Sequence, residues 1–148
     1  MEIKEIRNED FFTLLEQKLK DNKKVRFRIK GTSMQPFLRN NVDEVLLKKP
    51  DKSLPEIGDI CLFKFEGQYI LHRFIRYDNG VLFMQGDNII GVTENCKETD
   101  VIGVVEVVYR GEKSFSGFSK FWQFRIKLHR QKLRIRHILG SIKRSIIP

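Results

Sequence analysis

The sequence lacks a long hydrophobic run and has only two cysteines, and both features exclude classes of protein. No stretch of 18 or more uncharged apolar residues occurs among the 148 residues, so no transmembrane helix is expected. Residues 1–10 carry four acidic side chains with no apolar region behind them, which argues against a secretory signal and favours a cytoplasmic location. Cys61 and Cys96 form neither a disulfide framework nor a metal-site spacing. We expect both to be reduced and structural, and we expect no metal or other cofactor.

Acidic residues are also missing from the last part of the chain. Nine of the 28 Lys and Arg lie within residues 117–148, where no Asp or Glu occurs, so the net charge of +9 belongs to this segment. Apolar residues at helical spacing there predict a basic amphipathic helix. Three roles stay open: contact with an anionic membrane surface, packing on the domain or a partner, and non-specific contact with nucleic acid. Because the basicity is confined to one tail, no specific nucleic-acid partner is expected.

The remaining sequence predicts one domain with more strand than helix. Hydrophobic and charged fractions of 41% and 32% are those of a globular chain. Apolar residues at helical spacing predict an amphipathic helix over 8–22. Short alternating or apolar runs separated by turn residues predict strands at 25–29, 44–48, 60–65, 69–75, 81–85 and 101–109.

Together these patterns predict a mainly β (α+β) fold in three parts. Residues 1–23 form an N-terminal amphipathic helix, residues 24–110 a domain of coiled antiparallel β-sheet, and residues 111–148 a basic amphipathic tail. The clearest hairpin signal is Asn79-Gly80, because this pair supplies the positive φ angles of a type I′ turn.

The candidate nucleophile is Ser33, in the segment from Gly31 to Pro36. The strand that precedes it stops at Gly31, and Pro36 prevents a central strand from following. Ser33 is therefore expected on a tight corner, where a hydroxyl can be both exposed and fixed, as a nucleophile requires. The same residue types also make ordinary turns, so a purely structural role stays open.

The candidate base is His72, because the other two histidines lie in the cationic tail. With a two-residue turn at 79–80, His72 faces Asp87 across the hairpin, where a carboxylate could fix the tautomer of the ring. The same counting across the turn at 66–67 places Cys61 opposite His72, which leaves a Cys–His pair as a rival. A buried mid-strand thiol is the usual interpretation of such a cysteine. A satisfied structural histidine and a turn aspartate are the alternatives for the other two residues.

Five short motifs, in order, resemble the type I signal peptidase family and its LexA-like relatives. They are Gly31-x-Ser33-Met34-x-Pro36, Gly58-Asp59, His72-Arg73, Gly86-Asp87-Asn88 and Val101-Ile102-Gly103. The resemblance covers roughly residues 28–108 and implies a serine endopeptidase on coiled antiparallel sheets. The bacterial branch has Lys at the position of His72, so this chain is similar to the archaeal and endoplasmic-reticulum branch, which uses Ser and His.

The resemblance implies that Ser33 is the nucleophile and His72 the general base. The acidic pair that usually follows Gly-Asp-Asn in this branch is absent, so the predicted orienting acid is Asp87, from the register argument, with Glu94 in reserve. A Ser–His pair without an orienting acid also stays open. For the oxyanion, the resemblance implies the N–H of Ser33 with a group at Gly31 or Thr32, and it implies that Met34 lines the pocket for a small substrate residue.

These expectations combine into a small Ser–His endopeptidase that cleaves a leader or signal-like segment from a peptide or protein bound in extended form. A non-catalytic peptide-binding relative and a LexA-like self-cleaving regulator are the alternatives. The basic tail adds a possible peripheral location at the inner face of the membrane, through residues 117–148.

Overall fold

A computed structural model describes residues 8–116 and 120–146, in which two helices flank a set of eight strands. Residues 1–7, 117–119 and 147–148, which belong to the predicted N-terminal segment and basic tail, lie outside the described residues. In chain order the elements are α1 (Asn8–Lys20), β1 (Val25–Arg28), β2 (Glu44–Lys48), β3 (Ile60–Phe65), β4 (Gln68–Asp78), β5 (Val81–Gln85), β6 (Glu94–Cys96), β7 (Val101–Arg110), β8 (Lys113–Ser116) and α2 (Lys120–Ile146). A single 3₁₀ turn, Glu98–Asp100, separates β6 from β7.

The strands form one curled antiparallel sheet in the order β1-β2-β7-β3-β4-β5-β6, and β8 also pairs with β7. Strand β7 joins the two halves of the sheet. Along one edge of β7, its first residues pair with β3 and its last residues pair with β8. Along the opposite edge, β7 pairs with β2. The mainly β fold with a helix at each end is therefore confirmed.

Helix α1 is stabilised by packing on the sheet, as a helix of 13 residues requires. Its Leu15 and Leu19 are almost fully buried in the main core cluster. The contact is close, because a Cβ atom at Gly103 of β7 would lie 3.0 Å from Cδ1 of Leu19. A second core cluster, around Phe63, Phe74 and Met84, fills the space under β3, β4 and β5.

The six predicted strands are present within three residues of their predicted ends. The turn at 79–80 is also confirmed, with φ of 49° at Asn79 and 83° at Gly80. Strands β6 and β8 were not predicted, because each is short and rich in polar residues. Strand β8 continues the sheet to Ser116, beyond residue 110, where we placed the end of the β domain.

Helix α2 provides the helix predicted in the basic tail. In the part of the chain that the structure describes, neither helix is both long and apolar enough to span a bilayer.

Candidate active site

The fold brings Ser33 and His72 together although 39 residues separate them. Ser33 lies in the turn that follows β1, as predicted, and His72 lies in the middle of β4. Oγ of Ser33 is 3.0 Å from Nε2 of His72. Ser33 is half-buried and His72 is 5% exposed, so the ring is held by its surroundings.

The carboxylate at the other side of the ring belongs to Glu94. Strand β6 pairs with β5 so that Glu94 lies opposite Met84, and Oε2 of Glu94 is 2.8 Å from Nδ1 of His72. A neutral imidazole places its proton on the nitrogen beside the carboxylate, so Nδ1–H donates to Glu94. Nε2 then accepts a hydrogen bond from the hydroxyl of Ser33. Serine, histidine and glutamate thus form one hydrogen-bonded chain.

Asp87 does not orient His72, and the predicted register was wrong at this point. The pairs next to the turn have the predicted register, but a bulge between Phe74 and Arg76 shifts the rest of the β4–β5 pairing by one residue. Because each one-residue shift changes the face on which a side chain lies, His72 no longer faces Asp87. Of the two acids considered from the sequence, the structure places Glu94 at the ring.

The carboxylate of Asp87 instead forms a buried ion pair with Arg73, the neighbour of His72 on the opposite face of β4. Nε and Nη2 of Arg73 donate to the two oxygens at 2.9 and 2.8 Å, and Nη1 donates to the carbonyl oxygen of Gly58 at 2.7 Å. Nη2 of Arg130, from α2, lies 3.5 Å from the same carboxylate. Asp87 is fully buried, so these arginines supply the compensation that a buried charge requires.

Residues 86–88 hold the corner that carries Ser33 through contacts with its backbone. The N–H of Asn88 donates to the carbonyl oxygen of Ser33 at 2.9 Å, and its side-chain amide donates to that of Thr32 at 3.3 Å. A Cβ atom at Gly86 would lie 2.7 Å from the Ser33 carbonyl oxygen and 3.1 Å from Nε2 of His72. Glycine is therefore required at position 86 for this close approach.

Gly31 and Met34 have other roles than those the resemblance implied. Gly31 has φ of 99° and donates its N–H to Oδ1 of Asn40 at 2.9 Å, so this N–H fixes the corner and is not free for an oxyanion. Met34 is 3% exposed and packs in the core, with Sδ 3.5 Å from the N–H nitrogen of Asp87. Its side chain packs in the core beside Ser33 and does not line an open pocket.

A second buried acid, Asp43, fixes the segment that follows Ser33, and sequence reasoning missed it. Its carboxylate accepts hydrogen bonds from Nε and Nη2 of Arg110 at 2.8 and 2.7 Å and from the N–H of Arg39 at 2.7 Å. The same guanidinium donates to the carbonyl oxygen of Phe37 at 2.8 Å. Burial alone raises the pKa of Asp43, but these hydrogen bonds outweigh it and the net pKa is lowered.

Cys61 lies opposite His72, as the turn counting predicted, but its environment is wrong for a nucleophile. The thiol is fully buried, and burial raises its pKa well above the ordinary value. Since the thiolate is the reactive form, the Cys–His alternative is not supported. Burial also raises the pKa of Cys96 to about 11. Within residues 8–116 and 120–146, no three His, Cys, Asp or Glu side chains cluster closely enough to hold a metal ion.

A curled antiparallel sheet with a serine hydroxyl held against a histidine defines a protein of the signal peptidase and LexA-like superfamily. The sequence model of the family described as "Peptidase S24-like" matches residues 1–106, which include Ser33, His72 and Glu94. The chain belongs to the Peptidase S24-like family. Membership supports a serine peptidase or a LexA-like self-cleaving protein. A comparison with curated proteins gave no match.

Proposed function

We propose that this protein is a serine endopeptidase that cleaves a leader or signal-like segment from a peptide or another protein. Ser33 is the nucleophile, His72 the general base and Glu94 the acid that orients the ring. The observation that carries the proposal is the hydrogen-bonded chain from Ser33 Oγ through both ring nitrogens to Glu94, with distances of 3.0 and 2.8 Å. An imidazole that is hydrogen-bonded to a serine hydroxyl through one nitrogen and to a carboxylate through the other is the arrangement that activates a serine nucleophile.

The first half of the reaction forms an acyl-enzyme. Oγ of Ser33 attacks the carbonyl carbon of the scissile peptide bond while Nε2 of His72 takes the hydroxyl proton. The imidazolium that forms is stabilised by Glu94 at Nδ1, and Nε2 then delivers its proton to the nitrogen of the leaving amine. In the second half, Nε2 takes a proton from a water molecule, and the water oxygen attacks the ester carbonyl. The bond between the acyl carbon and Oγ then breaks, Nε2 returns its proton to Oγ, and the product leaves with a new carboxyl group.

The negative charge on the substrate oxygen needs hydrogen-bond donors beside Ser33. Because the N–H of Gly31 is used by Asn40, we assign this role to the N–H of Ser33 together with a group of Thr32. Thr32 is exposed and its carbonyl accepts from Asn88, so its position in the corner is fixed. A fixed donor lowers the activation barrier without a reorganisation cost at the moment of reaction.

Cleavage of a separate substrate is favoured over self-cleavage by the packing of the chain before Ser33. Between residues 8 and 33 the described chain consists of α1 on the sheet, a short turn and β1 paired with β2. None of these elements is a long loop that reaches Ser33. We propose a leader-like substrate because the five short motifs resemble those of signal peptidases, and such a substrate would distinguish this enzyme from a regulator.

A fluorophosphonate probe followed by mass spectrometry tests the proposal. We expect adduct formation at Ser33 in the native protein, none in Ser33→Ala and strongly reduced labelling in His72→Ala. Ser53→Ala, which removes an exposed loop hydroxyl, is the matched control and keeps full labelling. Absence of labelling in a folded native protein would favour a peptide-binding module without catalysis.

Incubation of the purified chain by itself separates the remaining alternative. In a LexA-like regulator the cleaved fraction grows with time at a rate constant that is independent of protein concentration, and cleavage occurs only when Ser33 is present. An enzyme that acts on other chains stays intact while it cleaves an added peptide library. Fragments from the native protein but not from Ser33→Ala would replace the proposal with self-cleavage.

A further inference from the structure

Helix α2 carries two different apolar faces, and only one of them is covered. The inner face packs on the domain through Trp122, which stacks on Phe115, and through Ile126, which is 4% exposed. The outer face consists of six large apolar residues, all between 43% and 62% exposed, which we call the outer stripe: Phe124, Leu128, Ile135, Ile138, Leu139 and Ile142.

The outer stripe runs along most of the helix and is interrupted by the exposed Gln131. With 3.6 residues per turn, its six side chains fall within an arc of about 100°, on the side of the helix opposite Trp122 and Ile126. From Phe124 to Ile142 the helix rises by about 27 Å. A soluble surface rarely exposes so many large aliphatic and aromatic side chains in one row, so the stripe indicates a binding surface.

Cations border the stripe on both sides. Lys132, Arg136 and Lys143 follow one edge, and Lys127 and Arg134 follow the other; all five are exposed. Among the described residues none of the five forms a salt bridge with an acidic side chain. Helix α2 has nine Lys or Arg and no Asp or Glu, so its formal charge is entirely positive.

We propose that the outer stripe binds in the plane of an anionic lipid bilayer, with its apolar side chains at the boundary between headgroups and acyl chains. An apolar row bordered by cations is the pattern of an interfacial helix, since apolar burial and attraction to acidic headgroups act on the same surface. Docking of a second copy through the same stripe would bring the five bordering cations of one copy against those of the other. A nucleic acid would use the cations but leave the six apolar side chains exposed to water.

The proposal does not depend on the catalytic role of Ser33, but it has a consequence for the site. The inner face of the same helix reaches Asp87 through Arg130, and the N–H of Asp87 contacts Met34 next to Ser33. A lipid-bound α2 therefore links the segment that carries Ser33 to the membrane surface, where membrane-attached substrates are concentrated.

Flotation of the full chain with liposomes tests the proposal. We expect binding to vesicles of phosphatidylcholine with about one third phosphatidylglycerol, weak binding to phosphatidylcholine alone, and a loss of binding at high salt. The variant Ile135→Gln, Leu139→Gln, Ile142→Gln is expected to lose flotation. Because these side chains are exposed, its circular dichroism and unfolding should stay native-like. Flotation equal to that of the unmodified chain would overturn the proposal.

A charge-matched pair of variants tests the cationic border. Each Lys or Arg near an anionic surface strengthens binding by roughly fivefold, so Lys127→Gln, Lys132→Gln, Arg136→Gln should weaken it on the order of 100-fold. Lys23→Gln, Lys49→Gln, Lys52→Gln removes the same charge from exposed positions of the domain and should leave binding nearly unchanged. Equal losses in both variants, a concentration-dependent dimer without vesicle binding, or binding to an RNA oligonucleotide in place of vesicles would each overturn the proposal.

Discussion

Glu94 holds His72 from the side of the ring that faces away from Ser33, with Oε2 2.8 Å from Nδ1. This contact fixes which ring nitrogen carries the proton, so it decides whether Nε2 can accept a proton from the hydroxyl. Glu94 is half-buried and lies at the start of a three-residue strand, so its contribution to the sheet is small.

We expect Glu94→Gln to reduce probe labelling and peptide cleavage on the order of 10⁴-fold, because the amide no longer stabilises the imidazolium and can favour the wrong tautomer. The free energy of unfolding, from urea titration, should change little. Glu98→Gln, which alters a nearby half-buried glutamate, is the matched control and should retain activity. Native-like rates in Glu94→Gln would remove this acid from the mechanism.

Asp87 is expected to show the opposite behaviour. In Asp87→Asn the buried Arg73 loses its partner, and breaking a buried pair costs about 3–5 kcal/mol. The free energy of unfolding should therefore fall by that order. The activity of the folded Asp87→Asn protein should exceed the activity of Glu94→Gln at the same concentration of folded protein. A stable Asp87→Asn protein with activity as low as that of Glu94→Gln would indicate that the roles of the two acids are reversed.

The contrast between these acids shows how far the sequence determines the site. Local patterns identify β4, β5 and the turn between them, because alternation and Asn79-Gly80 are local signals. The bulge between Phe74 and Arg76 has no such signal, since neither glycine nor proline marks it. A shift of one residue in the β4–β5 pairing, which the sequence does not reveal, is enough to remove Asp87 from the position opposite His72.

The remaining differences come from contacts between distant segments. Asp43 and Arg110 are 67 residues apart, and only the pairing of β2 with β7 brings them together. The hydropathy of Met34 is equally compatible with a core position and a substrate pocket. Ser33 and His72 could be predicted as candidate site residues because each has a local signal in the sequence. Ser33 lies in a turn motif, and His72 is the one histidine outside the cationic tail.

Gly86 offers a test of the geometry of the corner that carries Ser33. A methyl group at this position would lie 2.7 Å from the carbonyl oxygen of Ser33 and 3.1 Å from Nε2 of His72, so Gly86→Ala must move the corner away from the ring. We expect a loss of probe labelling of 100-fold or more, since misplacement by about 1 Å can cost that much.

Gly91→Ala is the comparison for Gly86→Ala: open space surrounds its Cβ, although its φ of 73° adds local strain. Circular dichroism should show that both variants keep the β-sheet. Equal labelling in Gly86→Ala and the native protein would mean that residues 86–88 do not set the position of Ser33.

The lowered pKa of Asp43 predicts how stability responds to acid. The ordinary value is near 3.8, and hydrogen bonds from Arg110 and from the N–H of Arg39 lower it in the folded state against the effect of burial. An acid with a lowered folded pKa adds stability above its unfolded pKa, and this contribution disappears as the pH falls through the folded value. Urea unfolding between pH 7 and pH 2.5 should therefore show a smaller acid-side loss in Asp43→Asn than in the native protein, starting from a lower stability at pH 7. Arg110→Gln removes the main lowering interactions and should also flatten the acid side. An unchanged acid-side slope in both variants would show that protonation of Asp43 does not account for the loss of stability in acid.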